Sequence, residues 1–425
     1  MLTTLRNAWK IPELRKKLLF TVFVLLLYRI GNVIPVPYID VAALTSYFDN
    51  VLSNTILGLY NAMSGSAFSQ ATVLALGIQP YINASIIIQL LTVAIPALER
   101  MAKEEGEEGK KKLNKITRFT TVGLGLVMGW GFYTMLSNYG IVTKEGFLPA
   151  LVIVLSFTAG SAAVMWLGEQ ITEFGIGNGI SLILFANIVS RFPAMLNTMF
   201  HMVWWHVLIV VVGVAALVLF IIFINDAERR IPIQYAKRVV GRKVYGGPNT
   251  NLPIKVSMSG VMPVIFAQSI VSIMPTIFAF TNPNGTSSNG FVQFLINISN
   301  PHSAFYAVCY FVLIFFFGWF YAMIQYDPVE IANNLKKNGG FIPGFRPGKP
   351  TVDFIQKVIG KIVIFGSVYL SVVALLPIVA GNLMDSVQNL AIGGTSVIIV
   401  VGVALETVKA IEAQMLMRHY KGFLD

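Results

Sequence analysis

The chain has 425 residues, of which 55% are hydrophobic and only 12% are charged. This composition is too apolar for a soluble globular protein, so it excludes that class and predicts a polytopic helical membrane protein. The formal net charge of +11 suits anionic lipid headgroups or a nucleic acid, and charge alone does not separate these two kinds of partner.

Mostly apolar runs of about 20 residues recur along the chain, and each is long enough to cross a hydrocarbon core about 30 Å thick. Because helices satisfy their own backbone groups, these runs predict an all-α integral membrane fold with ten transmembrane helices. The predicted spans are residues 18–34, 72–95, 119–136, 148–167, 176–192, 203–224, 258–280, 304–324, 359–379 and 396–413.

Lysine and arginine are concentrated on one side of the membrane if the spans alternate in direction. They precede the first span and recur in the stretches 100–118, 229–255, 336–361 and 418–421. Only Arg29, Lys144 and Arg191 fall toward the other side. Basic residues mark the cytoplasmic side, so this pattern predicts a multi-pass protein of the cell membrane with both termini cytoplasmic.

A short stretch before the second span, residues 54–70, consists of small and weakly apolar residues. It is too short to span the bilayer and too apolar to float free in water. Non-helical backbone at membrane depth must be sheltered by protein, which favours a re-entrant or plug-like element. An amphipathic helix on the membrane surface is the alternative.

The second span carries amides on one helical face. At about 100° per residue, Gln79, Asn83 and Gln89 share one side with Ile82 and Ile86. Amides without hydrogen-bond partners are costly in hydrocarbon, so this face is expected to contact protein or water rather than lipid. We interpret it as one wall of a conduit.

Two long loops on the basic side are too patterned to be simple connectors. Residues 225–256 alternate apolar and basic residues through positions 231–245, a rhythm typical of a hairpin. Residues 325–358 contain a Pro- and Gly-rich stretch, 339–351, which predicts a tight and exposed turn around Arg346. Both loops are expected to be docking surfaces.

No motif supports an enzymatic class. Residues 344–351 resemble a phosphate-binding loop only superficially, because the spacing is wrong and Pro350 replaces the residue that would begin Mg²⁺ ligation. H-E-x-x-H and G-x-S-x-G are absent from the sequence. The single cysteine, Cys309, excludes an intramolecular disulfide. We therefore predict no catalytic residue, no metal site and no cofactor.

An ion-coupled secondary transporter is the main alternative from the residues alone, because it would share the helix count, the broken segments and a polar midplane. Such a transporter needs ionisable residues that couple to protons or Na⁺, whereas the pore-facing positions here are amides and isoleucines. A purely structural scaffold would leave the two patterned basic loops unexplained.

Six motifs, in order along nearly the whole chain, identify a family. They are Y-R-I-G-N-V-I-P-V-P from Tyr28, L-G-I-Q-P-Y-I-N-A-S-I-I-I-Q-L-L from Leu76, G-E-Q-I-T-E-F-G-I-G-N-G-I-S from Gly168, E-R-R-I-P-I-Q-Y-A from Glu228, the loop 341–349 and G-G-T-S from Gly393. With these motifs the chain resembles the SecY family of protein-conducting channels. The resemblance implies two five-helix halves, residues 1–200 and 201–425, related by a pseudo-twofold axis in the membrane plane around a central pore.

The function implied by the resemblance is to move unfolded preproteins across the cytoplasmic membrane and to release membrane proteins sideways into lipid. A ring of aliphatic side chains and a short plug, about residues 57–69, would seal the pore at rest. By motif, the ring maps onto Ile82, Ile86, Leu184, Ile188, Ile265 and Ile399. The plug maps onto Leu57, Met63, Ser64, Gly65 and Phe68.

The resemblance also implies a lateral gate, between the second and third helices on one side and the seventh and eighth on the other. Signal sequences would leave through this gate toward membrane lipids. Its polar residues would be Gln89, Thr92, Gln268 and Ser269. The alternative is that these side chains only hydrogen-bond neighbouring helices.

Partners of the channel follow from the same resemblance. The resemblance implies that the two basic loops contact the ribosome and the SecA motor ATPase, and Arg242 and Arg346 occupy positions where the family has functionally sensitive arginines. A guanidinium can bind either a phosphate or a carboxylate through two parallel hydrogen bonds, while a solvated surface charge is the alternative. The small subunit SecE would brace the back of the molecule, and SecG would sit peripherally.

The chain departs from the family pattern at three positions. Tyr38 follows Pro37 where relatives commonly have glycine, Leu184 stands where isoleucine is frequent, and Lys349 stands where many relatives are acidic. None of these departures removes a role that the resemblance implies.

Overall fold

Helices make up most of the computed structural model, which describes residues 2–48, 61, 64–201, 203–235, 238–240, 243–245, 250–258, 260–281, 303–383 and 394–421. In the first half of the chain they are α1 (Leu2–Lys10), α2 (Pro12–Gly31), α3 (Val41–Tyr47), α4 (Gln79–Ala94), α5 (Pro96–Lys103), α6 (Gly106–Asn138), α7 (Phe147–Phe174), α8 (Gly179–Val189) and α9 (Phe192–Phe200). In the second half they are α10 (Trp204–Asp226), α11 (Met262–Thr281), α12 (Ala304–Gln325), α13 (Pro328–Lys337), α14 (Lys349–Leu383) and α15 (Gly394–Lys421).

Every predicted span overlaps one of these helices, as expected for the all-α class. Among the described residues, six helices are long and apolar enough to cross a membrane. The number is up to seven if α4 and α5, which are bent by 106° at their break, form one span. The count of ten crossings remains a prediction.

The second span is shorter than its apolar run. The sequence predicts a helix from residue 72, which is wrong, because residues 73–78 form turns and α4 begins only at Gln79. Gly77 adopts a φ of +54° directly before the helix. Pro80 lies in the first helical turn, where its missing N–H is tolerated. The start of α4 is therefore set by Gly77 and Pro80 rather than by hydrophobicity.

The segment after α2 is held by backbone hydrogen bonds on two sides. Val36 N–H donates to Ala71 O at 3.0 Å, and Thr143 N–H donates to Tyr38 O at 3.0 Å. Between these contacts, Tyr38 is held in the left-handed region with a φ of +69°. A residue with a Cβ atom is disfavoured there, which accounts for the glycine of the family pattern.

The two halves of the chain contact each other along two seams. On one seam α11 packs against α4 and α6, and on the other α15 packs against α8 and α1. One apolar cluster crosses the junction, with side chains from α2, α4, α7 and α8 of the first half and from α10, α11, α12, α14 and α15 of the second. The pseudo-twofold relation between the halves remains a prediction.

The described residues of the two long basic loops form five strands: β1 (Glu228–Tyr235), β2 (Arg238–Val240), β3 (Lys243–Tyr245), β4 (Thr250–Lys255) and β5 (Gly340–Phe341). The short strands β2 and β3 pair antiparallel, which confirms the predicted hairpin. Strand β1 pairs antiparallel with β4 on one side and with β5 on the other. Because β5 belongs to the second loop, the two loops share one three-stranded sheet.

The backbone at Tyr38 can be tested with two variants that remove the same side chain. Tyr38→Gly is expected to be more stable than Tyr38→Ala by about 1 kcal/mol, because only alanine retains the Cβ atom that is disfavoured at positive φ. Thermal unfolding in detergent, followed by circular dichroism, measures the difference. Equal stability of the two variants would contradict a left-handed conformation at this position.

Candidate functional site

The amide-bearing helix α4 is buried over its first two turns. Gln79, Ile82, Asn83 and Ile86 are each less than a tenth exposed, in line with a face that contacts protein rather than lipid, while its role as a conduit wall remains a prediction. Gln89 is exposed and does not share this burial. The helix rotates by about 100° per residue, so the ten steps from Gln79 to Gln89 make about 1,000°, which is about 80° short of three full turns. Gln89 therefore lies about 80° away from Gln79 around the helix axis.

The six aliphatic residues of the predicted ring come from four helices and meet in one cluster. They are buried, with no side chain more than 6% exposed, and all belong to the apolar cluster that crosses the junction of the halves. The members are Ile82 and Ile86 on α4, Leu184 and Ile188 on α8, Ile265 on α11 and Ile399 on α15. The structure thus brings the six together, while their role in a pore remains a prediction.

The described part of the predicted plug is a compact and buried turn. Ser64 Oγ donates to Asn61 O at 3.1 Å and accepts from Phe68 N–H at 3.2 Å. The ring of Phe68 stacks on Phe132 with centroids 4.3 Å apart. This burial disfavours the amphipathic surface helix. The predicted plug residues Leu57 and Met63 lie outside the described residues.

Two residues that the sequence did not single out lie beside this turn. Asn187 Nδ2 donates to the Tyr28 hydroxyl at 2.8 Å, and both side chains are fully buried. They are 159 positions apart, so no local pattern pairs them. The one indication in the sequence is a carboxamide, Asn187, within a predicted membrane span.

The four predicted gate residues are not brought together as a set. Ser269 is fully buried, and its Oγ donates to Gln79 Oε1 at 3.4 Å, which links α11 to α4. Gln268 is also buried. Thr92 instead donates to Ile88 O of its own helix at 2.7 Å, and Gln89 is exposed. The contact that crosses this seam thus uses Gln79, which the sequence placed in the conduit face.

The shared sheet of the two basic loops rests on its own apolar cluster. Ile231 and Ile233 of β1 pack there with Leu335 of α13, Ile342 and Ile355. The cluster continues into α12 and α14, so the loops are anchored to membrane-length helices.

Arg346 is exposed at the predicted turn beside this sheet. Its carbonyl oxygen accepts from Thr351 Oγ1 at 2.8 Å, and the rings of Phe345 and Phe354 lie 4.3 Å apart. Gly344 and Gly348 flank the turn with φ values of +88° and +117°. The backbone therefore presents Arg346 in a defined position. Arg242 lies outside the described residues.

The described part of the chain contains no candidate metal-binding site. No three His, Cys, Asp or Glu side chains there are grouped closely enough to hold a metal ion.

The family model of SecY matches residues 72–408. The chain therefore belongs to the SecY family. The Protein translocase subunit SecY of Streptomyces scabiei is 42% identical over 440 residues, covering 100% of both chains. That of Corynebacterium glutamicum is 41% identical and covers 98% of this chain and 99% of its own. With its several apolar helices, this SecY family member is a multi-pass membrane protein.

Solved structures of channels share the fold. One, described as a protein-conducting channel, matches with a TM-score of 0.68 at 20% identity and covers 94% of this chain and 92% of its own. A SecY structure matches with a TM-score of 0.67 at 19% identity and covers 94% of this chain and 92% of its own. Its description states that the plug domain stabilises the closed state of the channel and maintains a membrane seal. Sec61 in a canine ribosome–channel complex from the endoplasmic reticulum matches with a TM-score of 0.63 at 18% identity, again covering 94% and 92%.

Proposed function

We propose that this chain is the central subunit of a protein-conducting channel, which moves unfolded preproteins across the cytoplasmic membrane and passes membrane proteins sideways into lipid. The observation that carries the proposal is the meeting of six aliphatic side chains, from four helices of both halves, in one buried cluster. A constriction lined in this way excludes hydrated ions but can deform around a polypeptide.

The chemistry of the six positions favours a polypeptide conduit over an ion-coupled transporter. Isoleucine is stiff at χ1 and offers no polar atom that could coordinate an ion. Leucine likewise has a purely hydrocarbon side chain. A transporter would need ionisable groups at the corresponding depth.

Residues 57–69 serve as the plug in this proposal. Support comes from the described residues 64–69, which are folded into the protein rather than along its surface. The related SecY structure is described in terms of a plug domain that maintains a membrane seal. The turn also lies next to α8, which supplies two ring residues.

The lateral gate is the seam at which α11 contacts α4 and α6. Signal sequences and hydrophobic segments would leave through it toward membrane lipids. Ser269 and Gln268 are the polar groups buried there, and Gln79 is the residue that Ser269 reaches. A polar contact of this kind stabilises a closed seam only modestly, which suits an opening that must be reversible.

The two basic loops, joined by their sheet, are the docking surface for the ribosome and for SecA, with Arg346 and Arg242 as its arginines. The excess of basic residues in these loops supports a cytoplasmic position for the loops and for both termini. The related Sec61 structure is described as part of a ribosome–channel complex. SecE and SecG are the accessory subunits that family membership suggests.

The ring can be tested by electrical conductance. Replacing Ile86 and Ile265 by serine is expected to raise the resting ion conductance about tenfold or more, because hydroxyl groups favour water in a constriction that is otherwise dewetted. Channels reconstituted in planar bilayers provide the measurement.

The matched control for the ring makes the same chemical change on outward-facing positions. Ile209 on α10 and Ile364 on α14 are 45% and 50% exposed, and their replacement by serine is expected to leave the conductance unchanged. A ring variant that conducts no better than this control would contradict the ring.

The docking role of the turn at Arg346 can be tested by ATP-driven import of a preprotein into proteoliposomes. Arg346→Glu is expected to reduce import with SecA about tenfold or more while leaving membrane assembly intact, since it turns an attractive charge into a repulsive one. Lys115→Glu makes the same charge change at an exposed position of α6 and is expected to import normally.

Normal import by Arg346→Glu would remove the docking role. No import by the wild-type chain with SecE and SecA would contradict the channel itself.

A further inference from the structure

A small group of buried polar side chains joins α2, α8 and the turn 64–69. Asn187 of α8 donates from Nδ2 to the Tyr28 hydroxyl of α2 at 2.8 Å. Asn32, directly after α2, donates from Nδ2 to Ser64 O at 3.5 Å. Tyr28, Asn32 and Asn187 are all buried. The turn therefore rests on side chains that two separate helices supply.

Gly65 is packed directly against this group. A Cβ atom at Gly65 would lie 2.8 Å from Arg29 Nη1 and 2.9 Å from Asn187 Oδ1. The φ of Gly65 is +67°, which also favours glycine. The backbone at Gly65 thus lies against a guanidinium from α2 and a carboxamide from α8, and a larger residue would have to displace either the turn or these two side-chain ends.

The docked turn leaves polar atoms without partners. Arg29 Nη1 and Asn32 Oδ1 are buried and, among the described residues, have no hydrogen-bond partner. Burying such atoms opposes the docked arrangement, because water would satisfy them. When the turn leaves, water can reach both atoms. The cost of burying these two atoms therefore opposes the contacts that hold the turn.

The same group is continuous with the ring. Asn187 directly precedes Ile188, and Leu184 lies one helical turn earlier on α8. A displacement of α8 that widens the ring would also move the Asn187 carboxamide away from Tyr28 and Gly65. One helix therefore carries both the Asn187 carboxamide and two residues of the ring.

We propose that Tyr28, Arg29, Asn32 and Asn187 are positioning residues that latch the turn 64–69 at rest and release it when α8 moves with the ring. Gly65 is the residue of the turn that fits this latch. The proposal rests on the proposed function, because it takes the turn as part of the plug.

Access of a membrane-impermeant maleimide to the turn tests the latch. Ser69 is buried, so Ser69→Cys in a Cys309→Ser background places one sheltered thiol there. In full-length reconstituted channels, Tyr28→Phe and Asn187→Leu are each expected to raise the labelling rate about tenfold, as the loss of one buried hydrogen bond would do. The double variant is expected to label no faster than Asn187→Leu alone, because the two changes remove the same bond.

Tyr310→Phe is the matched control for Tyr28→Phe. Tyr310 is equally buried in the same apolar cluster, and its hydroxyl has no hydrogen-bond partner among the described residues. Removing that hydroxyl is expected to leave the labelling rate unchanged. Wild-type labelling in both Tyr28→Phe and Asn187→Leu would overturn the latch, and so would equal acceleration by Tyr310→Phe.

A glycine pair tests the latch without changing its side chains. Gly65 and Gly77 both have positive φ, so alanine causes similar backbone strain at each. The nearest atoms to a Cβ at Gly77 lie 3.9 Å away, whereas Gly65 meets Arg29 and Asn187. Gly65→Ala is expected to label about tenfold faster than Gly77→Ala, in line with displacement of the turn. Equal rates would overturn the fit at Gly65.

Preprotein import and resting conductance separate the latch from the function on which it rests. Variants that import preproteins but label at the wild-type rate overturn the latch and leave the channel standing. Faster labelling with raised resting conductance supports both the latch and the plug. Faster labelling at wild-type conductance supports the latch and overturns the plug role of the turn.

Discussion

Apolar contact across the junction of the two halves is the interaction on which the rest of this structure depends. Side chains from α4, α8, α11 and α15 meet there in one buried cluster. Such contact is non-directional and proportional to area, so it can be broken by a passing chain and re-formed in any order afterwards. A seal built from hydrogen bonds would need each partner to return to its exact geometry, and unpaired polar atoms would admit water and ions.

The helices that supply this cluster are held in position by close contacts between neighbouring backbone segments. A Cβ atom at Gly160 of α7 would collide with Val73 O, and one at Gly179 of α8 would collide with Gly168 O. The first contact fixes the turns that precede α4, and the second fixes the start of α8. Because lipid offers no hydrophobic driving force between helices, small residues that permit such contact are the usual means of holding membrane helices together.

The sheet shared by the two basic loops rests on a separate apolar cluster, yet packed side chains connect it to the membrane helices. The exposed turn at Arg346 is fixed by the Phe345–Phe354 contact to α14, and the cluster beneath the sheet includes residues of α12 and α14. The helices α12 and α14 pack against each other, and α11 packs against α12. Packed side chains therefore connect the two basic loops to the helices beside the seam.

Local properties of the sequence were sufficient to predict the membrane class, a helix overlapping each span, the hairpin and the exposed turn at Arg346, because composition, periodicity and Pro/Gly positions act over a few residues. Family motifs then indicated the six aliphatic positions that the structure brings together. Tertiary structure alone decided the pairing of β5 with β1 and the contacts Asn187–Tyr28 and Ser269–Gln79. The two contacts join residues 159 and 190 positions apart, and their geometry exists only once the helices have packed.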